Sequence, residues 1–181
     1  MPAGRGGNLR RPSGVRKVVP DEESFDAFYR GSRQRLYTYV YALTGDPAEA
    51  QDAVHEAYAR AWQRWRSLSR DGEPEAWVRT VARRVAVSRW RRARNRLIAH
   101  RRLGEPPPLP GPGPESVVLV AALARLPEAQ RTALVLHHLV GLPVAEVALE
   151  TGVPLGTVKA RLSRGRRALA ALLGAAEESH V

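Results

Sequence analysis

A chain of 181 residues with 44% apolar content has room for one or two small domains with packed cores. Its 29 Lys and Arg against 18 Asp and Glu give a formal charge of +11, which points to a polyanionic partner, nucleic acid ahead of acidic membrane. The absence of cysteine excludes a disulfide frame, a thiol nucleophile and Cys-ligated zinc. No apolar run approaches the roughly 18 residues of a spanning helix, and the Arg- and Gly-bearing N-terminus holds no hydrophobic signal core. The expectation is a soluble, cytoplasmic protein with no membrane insertion.

Residues 1–20 mix Gly, Pro and Arg without periodicity and read as a disordered basic lead-in. Residues 104–114, GEPPPLPGPGP, carry six prolines in eleven positions and read as a semi-rigid linker. It divides a block at 21–103 from one at 115–174, followed by a tail at 175–181, so two small domains are expected. Apolar residues recur at three and four in both blocks, so the fold class is all-α: a helical bundle followed by a helix-turn-helix domain. Asp21 or Ser24 caps a first helix through Tyr41, and Asp46 caps a second that runs to about Trp65. The Ser, Asp, Gly and Pro of residues 67–74 read as a loop. In the second block, helices are expected over 117–126, up to Gly141, up to Gly152, and from Leu155 to Leu173.

Three features carry function. On a helical wheel, Glu49, Asp52 and Glu56 fall within about 60° of one another, opposite Ala50, Ala53, Val54, Ala57, Tyr58, Ala61 and Trp65. No Lys or Arg occurs from Asp46 to Glu56, a local inversion of charge that suits a basic protein surface better than DNA; a solvated face near the positive helix start is the plain alternative. Residues 83–102 hold nine arginines and no acid. Following the stripe Trp77, Val78, Val81, Ala82 and Val85 onward would bury Arg89 and Arg92, so two helices joined near 84–87 are expected, the second with Ala86, Trp90, Ala93 and Leu97 inward. Trp90 suits either stacking on an unpaired base or the core; Trp62, Trp65 and Trp77 are read as core.

The third feature is VAEVALETGVPLGTVKARL at 144–162, which reads as helix, tight turn, helix. Ala148 is small at the crossing, Gly152 tolerates positive φ, and Val147, Val153 and Val158 hold the crossing together. Val158, Leu162, Leu169, Leu172 and Leu173 form the buried arc of the last helix. Lys159, Ser163, Arg166 and Arg167 lie outside it, flanked by Arg161 and Arg164, on a face free to enter a major groove. Pro154, Leu155, Gly156 and Thr157 set a helix N-terminus where a phosphate would sit. No catalytic residue, metal or cofactor is expected. The histidines at 55, 100, 137, 138 and 180 form no ligand set by spacing, with His137 and His138 assigned to different faces. The HExxH pattern begun at His55 and Glu56 fails at Ala59, and there is no glycine-rich phosphate loop.

In this order the pieces resemble a bacterial sigma factor of the sigma-70 family, in the extracytoplasmic-function (ECF) group that keeps only the σ2 and σ4 domains. DPAEAQDAVHEAYARAWQRW at 46–65 is similar to the σ2 helix that docks on the β′ clamp helices of core RNA polymerase. EAWVRTVARRVAVSRWRRARN at 75–95 resembles the segment that melts and reads the −10 element, with a wording that leans toward the actinobacterial SigE-like branch. Residues 126–169 are similar to σ4, which reads the −35 element and meets the β flap. The resemblance implies polymerase contact at Glu49, Asp52 and Glu56. It implies −10 contact at Arg83, Arg84, Ser88, Arg89, Trp90, Arg91 and Arg92. It implies −35 contact at Thr157, Lys159, Ala160, Arg161, Ser163, Arg164 and Arg167. Arg84 replaces an Asn frequent in the group, a departure that bears on the −10 sequence preference; Ala160 lacks a hydroxyl common there, so weaker base readout at −35, or reliance on DNA shape, is expected. The implied partners are core RNA polymerase, promoter DNA and an anti-sigma factor. With eight residues after Leu173, no long C-terminal regulatory domain is expected. A helix-turn-helix regulator binding an operator as a dimer is the alternative.

Overall fold

The computed structural model describes residues 20–95 and 114–178, with the side chains of 20, 21, 71, 90–95, 114, 115 and 176–178 left outside the description. The basic lead-in, the expected linker up to residue 113 and the last three residues therefore lie outside the described residues. The order is α1 (Pro20–Thr44), α2 (Pro47–Gln63), α3 (Trp65–Asp71), α4 (Pro74–Asn95), α5 (Pro114–Ala124), α6 (Glu128–Leu134), α7 (Val144–Thr151) and α8 (Leu155–Glu178). A π-helical turn, Val135–Leu139, extends α6. There is no strand among the described residues, in keeping with the expected all-α class.

The start of α2 follows from the sequence. Asp46 accepts hydrogen bonds from the backbone N–H of Ala48 (2.8 Å) and Glu49 (3.1 Å), and Pro47 sits where a missing N–H costs nothing. Its apolar face, Ala50, Ala53, Val54, Ala57, Tyr58 and Ala61, is buried against α1 and α4. Alanines on that face let the helices approach closely. Aromatic rings close the far end: Phe28 stacks on Trp65 at 5.1 Å, and Phe25 meets Trp65 edge-on at 5.2 Å. Trp65 Nε1 donates to Ser24 Oγ at 2.8 Å, so its polar edge is satisfied there. Ser32 Oγ donates to Phe28 O (2.6 Å), leaving Tyr58 Oη to donate to Ser32 Oγ (2.7 Å).

Three expectations in this half are corrected. The segment expected as a loop from 67 begins as α3, because Trp65 and Leu68 are both buried and one helical turn brings them under the bundle. Gly72, at φ 82°, ends it. As far as residue 95 the arginine-rich stretch lies in one continuous helix, α4, with no joint at 84–87. The seam Val78, Ala82, Val85 and Ala86 is buried, and Arg89, which continues it, escapes burial by reaching Asp52 of α2 at 2.6 Å. Trp62 is not core: it is 47% exposed and rests its ring against Phe25 at 5.0 Å.

In the second half, α6 and α8 cross at Gly165, where an added Cβ would lie 3.0 Å from Leu134 Cδ1. Arg131 is 4% exposed and donates to Ala124 O (3.1 Å), covering the carbonyl end of α5; burial lowers its pKa, with Glu128 opposing. Arg131 is thus a guanidinium enclosed in the fold and not turned to solvent. The two halves also share an apolar core, with Leu43 and Val85 from the first and Val120, Leu123 and Leu126 from the second in one cluster.

Candidate nucleic-acid interface

The helix-turn-helix is built by α7 and α8. Gly152 adopts φ 68°, its N–H bonds Leu149 O (3.3 Å) and Ala148 O (2.9 Å), and Val153 N–H bonds Ala148 O (3.2 Å). This pairing of the last carbonyls with the two residues past the helix is the glycine-terminated stop that the ETGVP run prescribes. Pro154 then starts α8, accepting from the N–H of Thr157 (2.9 Å) and Val158 (3.2 Å). Val147 and Val158 are fully buried, Leu162 nearly so, and Val153 and Ala148 are half-buried beside them, as the spacing requires. The recognition helix is therefore held along its apolar arc, and its position is set by packing.

On its other side α8 brings the expected −35 residues together. Lys159, Arg164 and Arg167 are exposed, while Thr157, Ala160, Arg161 and Ser163 are half-buried along the same turns. Arg167 Nη2 lies 3.5 Å from Ser163 Oγ and Arg164 Nε 3.4 Å from Ala160 O. Among the described residues none of Lys159, Arg161, Arg164 and Arg167 has a carboxylate partner. Unneutralised cations on a fixed helix are a surface for phosphate and base edges.

The expected −10 residues divide. Arg84 is exposed and Ser88 half-buried on α4. Arg89 is tied to Asp52, and Arg83 Nη2 donates to the backbone carbonyl of Glu150 in α7 at 2.9 Å. The side chains of Trp90, Arg91 and Arg92 lie outside the described residues. Sequence reasoning missed Arg79, whose Nε and Nη2 bond Glu150 Oε2 at 3.2 and 3.1 Å. A signal was present: Glu146 and Glu150 are the only acids between residues 129 and 176.

The acidic stripe on α2 is present, and its three carboxylates differ. Asp52 pairs with Arg89, Glu56 pairs with Arg60 at 2.8 Å, and Glu49 is half-buried with Oε2 enclosed and unpartnered. Burial raises the Glu49 pKa, Arg89 opposing and Asp46 and Asp52 adding to it. Neither bridge removes its carboxylate from solvent; Asp52 stays the more exposed partner of its pair. The rings of His137 and His138 meet at 4.7 Å in the π-turn, His137 half-buried with Nδ1 2.8 Å from Leu142 O and His138 exposed. Among the described residues no group of three His, Cys, Asp or Glu side chains is placed to hold a metal.

A cationic recognition helix fixed to an arginine-rich helical bundle defines a DNA-binding protein of transcription. The chain matches Sigma-70 region 2 over residues 28–96 and Sigma-70 region 4 over residues 116–169. It is 33% identical over 150 residues to the ECF RNA polymerase sigma factor SigL of Mycobacterium tuberculosis, covering 79% of this chain and 85% of that one. SigE of Mycolicibacterium smegmatis is 31% identical over 155 residues, 81% of this chain and 60% of its own length. SigM of M. tuberculosis is 30% identical over 158 residues, 87% of this chain and 81% of that one. A solved complex of the sigma factor RpoE with the anti-sigma factor NepR from Bartonella quintana superposes with a TM-score of 0.67 at 25% identity, covering 84% of this chain and 98% of that one. The chain belongs to the sigma-70 family of RNA polymerase sigma factors, in its ECF group. It is thus an alternative sigma factor, which binds core RNA polymerase and directs promoter-specific transcription. The operator-binding dimer is not favoured, and SigL, SigE and SigM match at such similar identity that no SigE-like branch is singled out.

Proposed function

We propose that the two halves divide the work of this sigma factor, with residues 21–103 as the σ2 unit and 115–174 as the σ4 unit. Asp52 and Glu56, with Glu49 beside them, meet the basic surface of the β′ clamp helices. Arg84, Ser88, Arg89 and the side chains from Trp90 to Arg92 hold the separated strands at −10, joined by Arg83. Thr157, Lys159, Ala160, Arg161, Ser163, Arg164 and Arg167 read −35, while σ4 engages the β flap. The chain performs no covalent chemistry, works in the cytoplasm, and is held in check by an anti-sigma factor, as the RpoE chain is seen bound to NepR. No helix among the described residues is long and apolar enough to cross a membrane.

The observation that carries this reading is the row of carboxylate-free cations on α8, held in place by the buried valines of the crossing. Phosphate contacts supply affinity there and base edges supply discrimination. The polymerase half is tested by Asp52→Lys with Glu56→Lys, both exposed enough to reverse without disturbing the buried face of α2. Loss of co-purification with core polymerase, at unchanged helicity, is expected. Undiminished co-purification removes the acidic stripe from the interface.

A further inference from the structure

We propose that Glu150 is an intramolecular latch that closes the chain by occupying Arg79 and Arg83, so that σ4 shields part of the −10 surface until the halves separate. The proposal rests on the assignment of Arg83 to the −10 strands for its consequence, and on geometry alone for the latch. The Glu150 side chain is 9% exposed and that of Arg79 14%, against 62% for Asp52 in the bridge to Arg89. Both ends of this ion pair are closed off from water, unlike those of the bridges Arg35–Glu75, Arg60–Glu56 and Arg89–Asp52. Arg79 grips one carboxylate oxygen with two N–H groups, and Arg83 takes the Glu150 carbonyl in the last turn of α7, where the helix dipole is negative. The same α7 sets the turn into the recognition helix, so the latch joins the two DNA-binding surfaces directly.

The contact is also incompletely satisfied, which makes it releasable. Tyr39 Oη, Arg83 Nε and Glu150 Oε1 are all buried there without a hydrogen-bond partner. Each enclosed orphan gives back part of what the pair contributes. A guanidinium bound to Glu150 O has one fewer face for phosphate, so closure and strand binding compete for Arg83.

The test uses the full chain, which has no native cysteine, labelled at Gln63→Cys and Ala171→Cys on exposed sites of α2 and α8. Interdomain distance is read by energy transfer or spin-label methods without polymerase. Glu150→Gln keeps the shape and removes the charge; the open-to-closed ratio is expected to rise at least about tenfold. The exchange Arg79→Glu with Glu150→Arg is expected to restore closure, which also guards against a folding artefact in the single variant. An unchanged distance distribution in Glu150→Gln, or an exchange variant no more closed than the single, overturns the latch. Binding of a fluorescent single-stranded DNA oligonucleotide is measured on the same samples and is expected to strengthen as the chain opens. An opened chain that binds it no better overturns the −10 role of Arg83 and upholds the latch.

Discussion

Replacing Gly165 by alanine sets two effects of known size against each other. Alanine is favoured over glycine inside a helix by about 1 kcal/mol, so an unconstrained Gly165→Ala would stabilise. At this crossing, however, the new methyl would sit 3.0 Å from Leu134 Cδ1, 3.2 Å from its Cγ and 3.4 Å from Gln130 Cβ. Leu134 is itself buried and cannot swing out, so α8 must shift or the leucine must leave its rotamer, a strain of about 1–3 kcal/mol. The net is a loss of about 1 kcal/mol, or a melting temperature lower by about 3 °C for a chain of this size. Gly174, further along the same helix, has nothing within 4 Å of an added Cβ and supplies the control: Gly174→Ala is expected to raise the melting temperature. Thermal unfolding of the two variants beside the parent is the assay. If Gly165→Ala stabilises as Gly174→Ala does, the α6–α8 crossing is looser than described and the recognition helix is not fixed by it.

Two other outcomes follow from the electrostatics. The Glu49 carboxyl titrates above its ordinary 4.5 in the fold, so its contribution is fully present at acid pH and is lost as the pH rises through the raised value. Glu49→Gln is expected to gain on the parent as the pH climbs above 4.5, by less than about 1 kcal/mol because solvent screens a half-exposed group; an advantage independent of pH in urea titrations counts against this. Lys159→Ala is expected to weaken promoter binding of the holoenzyme and to flatten the salt dependence by about one unit of slope, read by filter binding across a salt series. An unaltered slope would place Lys159 off the phosphate path.

Much of the helical frame was legible because it is written in local chemistry. Asp46 as cap, the alanine face of α2, Gly152 as the stop and the valines of the crossing all follow from spacing and backbone preference, and the structure has them so. The failures were of another kind. Arg89 seemed to forbid a continuous α4 only while its partner was unknown, since Asp52 lies 37 residues away in sequence. The short α3 is held by Trp65 and Leu68 docking into an aromatic end that no local window contains. Arg131 reads as one more surface cation until the carbonyl end of α5 is placed over it. Of the proposed interface residues, the α8 set was legible as a cationic helix face. The engagement of Arg83 by Glu150 was not, because it depends on two distant segments meeting.

The central claim is tested most directly by mapping transcript starts made by purified core RNA polymerase on genomic DNA fragments, with and without this chain. The account predicts new starts, each preceded at fixed distances by a shared −35 and −10 sequence, and their loss with Asp52→Lys and Glu56→Lys together. A start profile identical to that of core polymerase alone would contradict it.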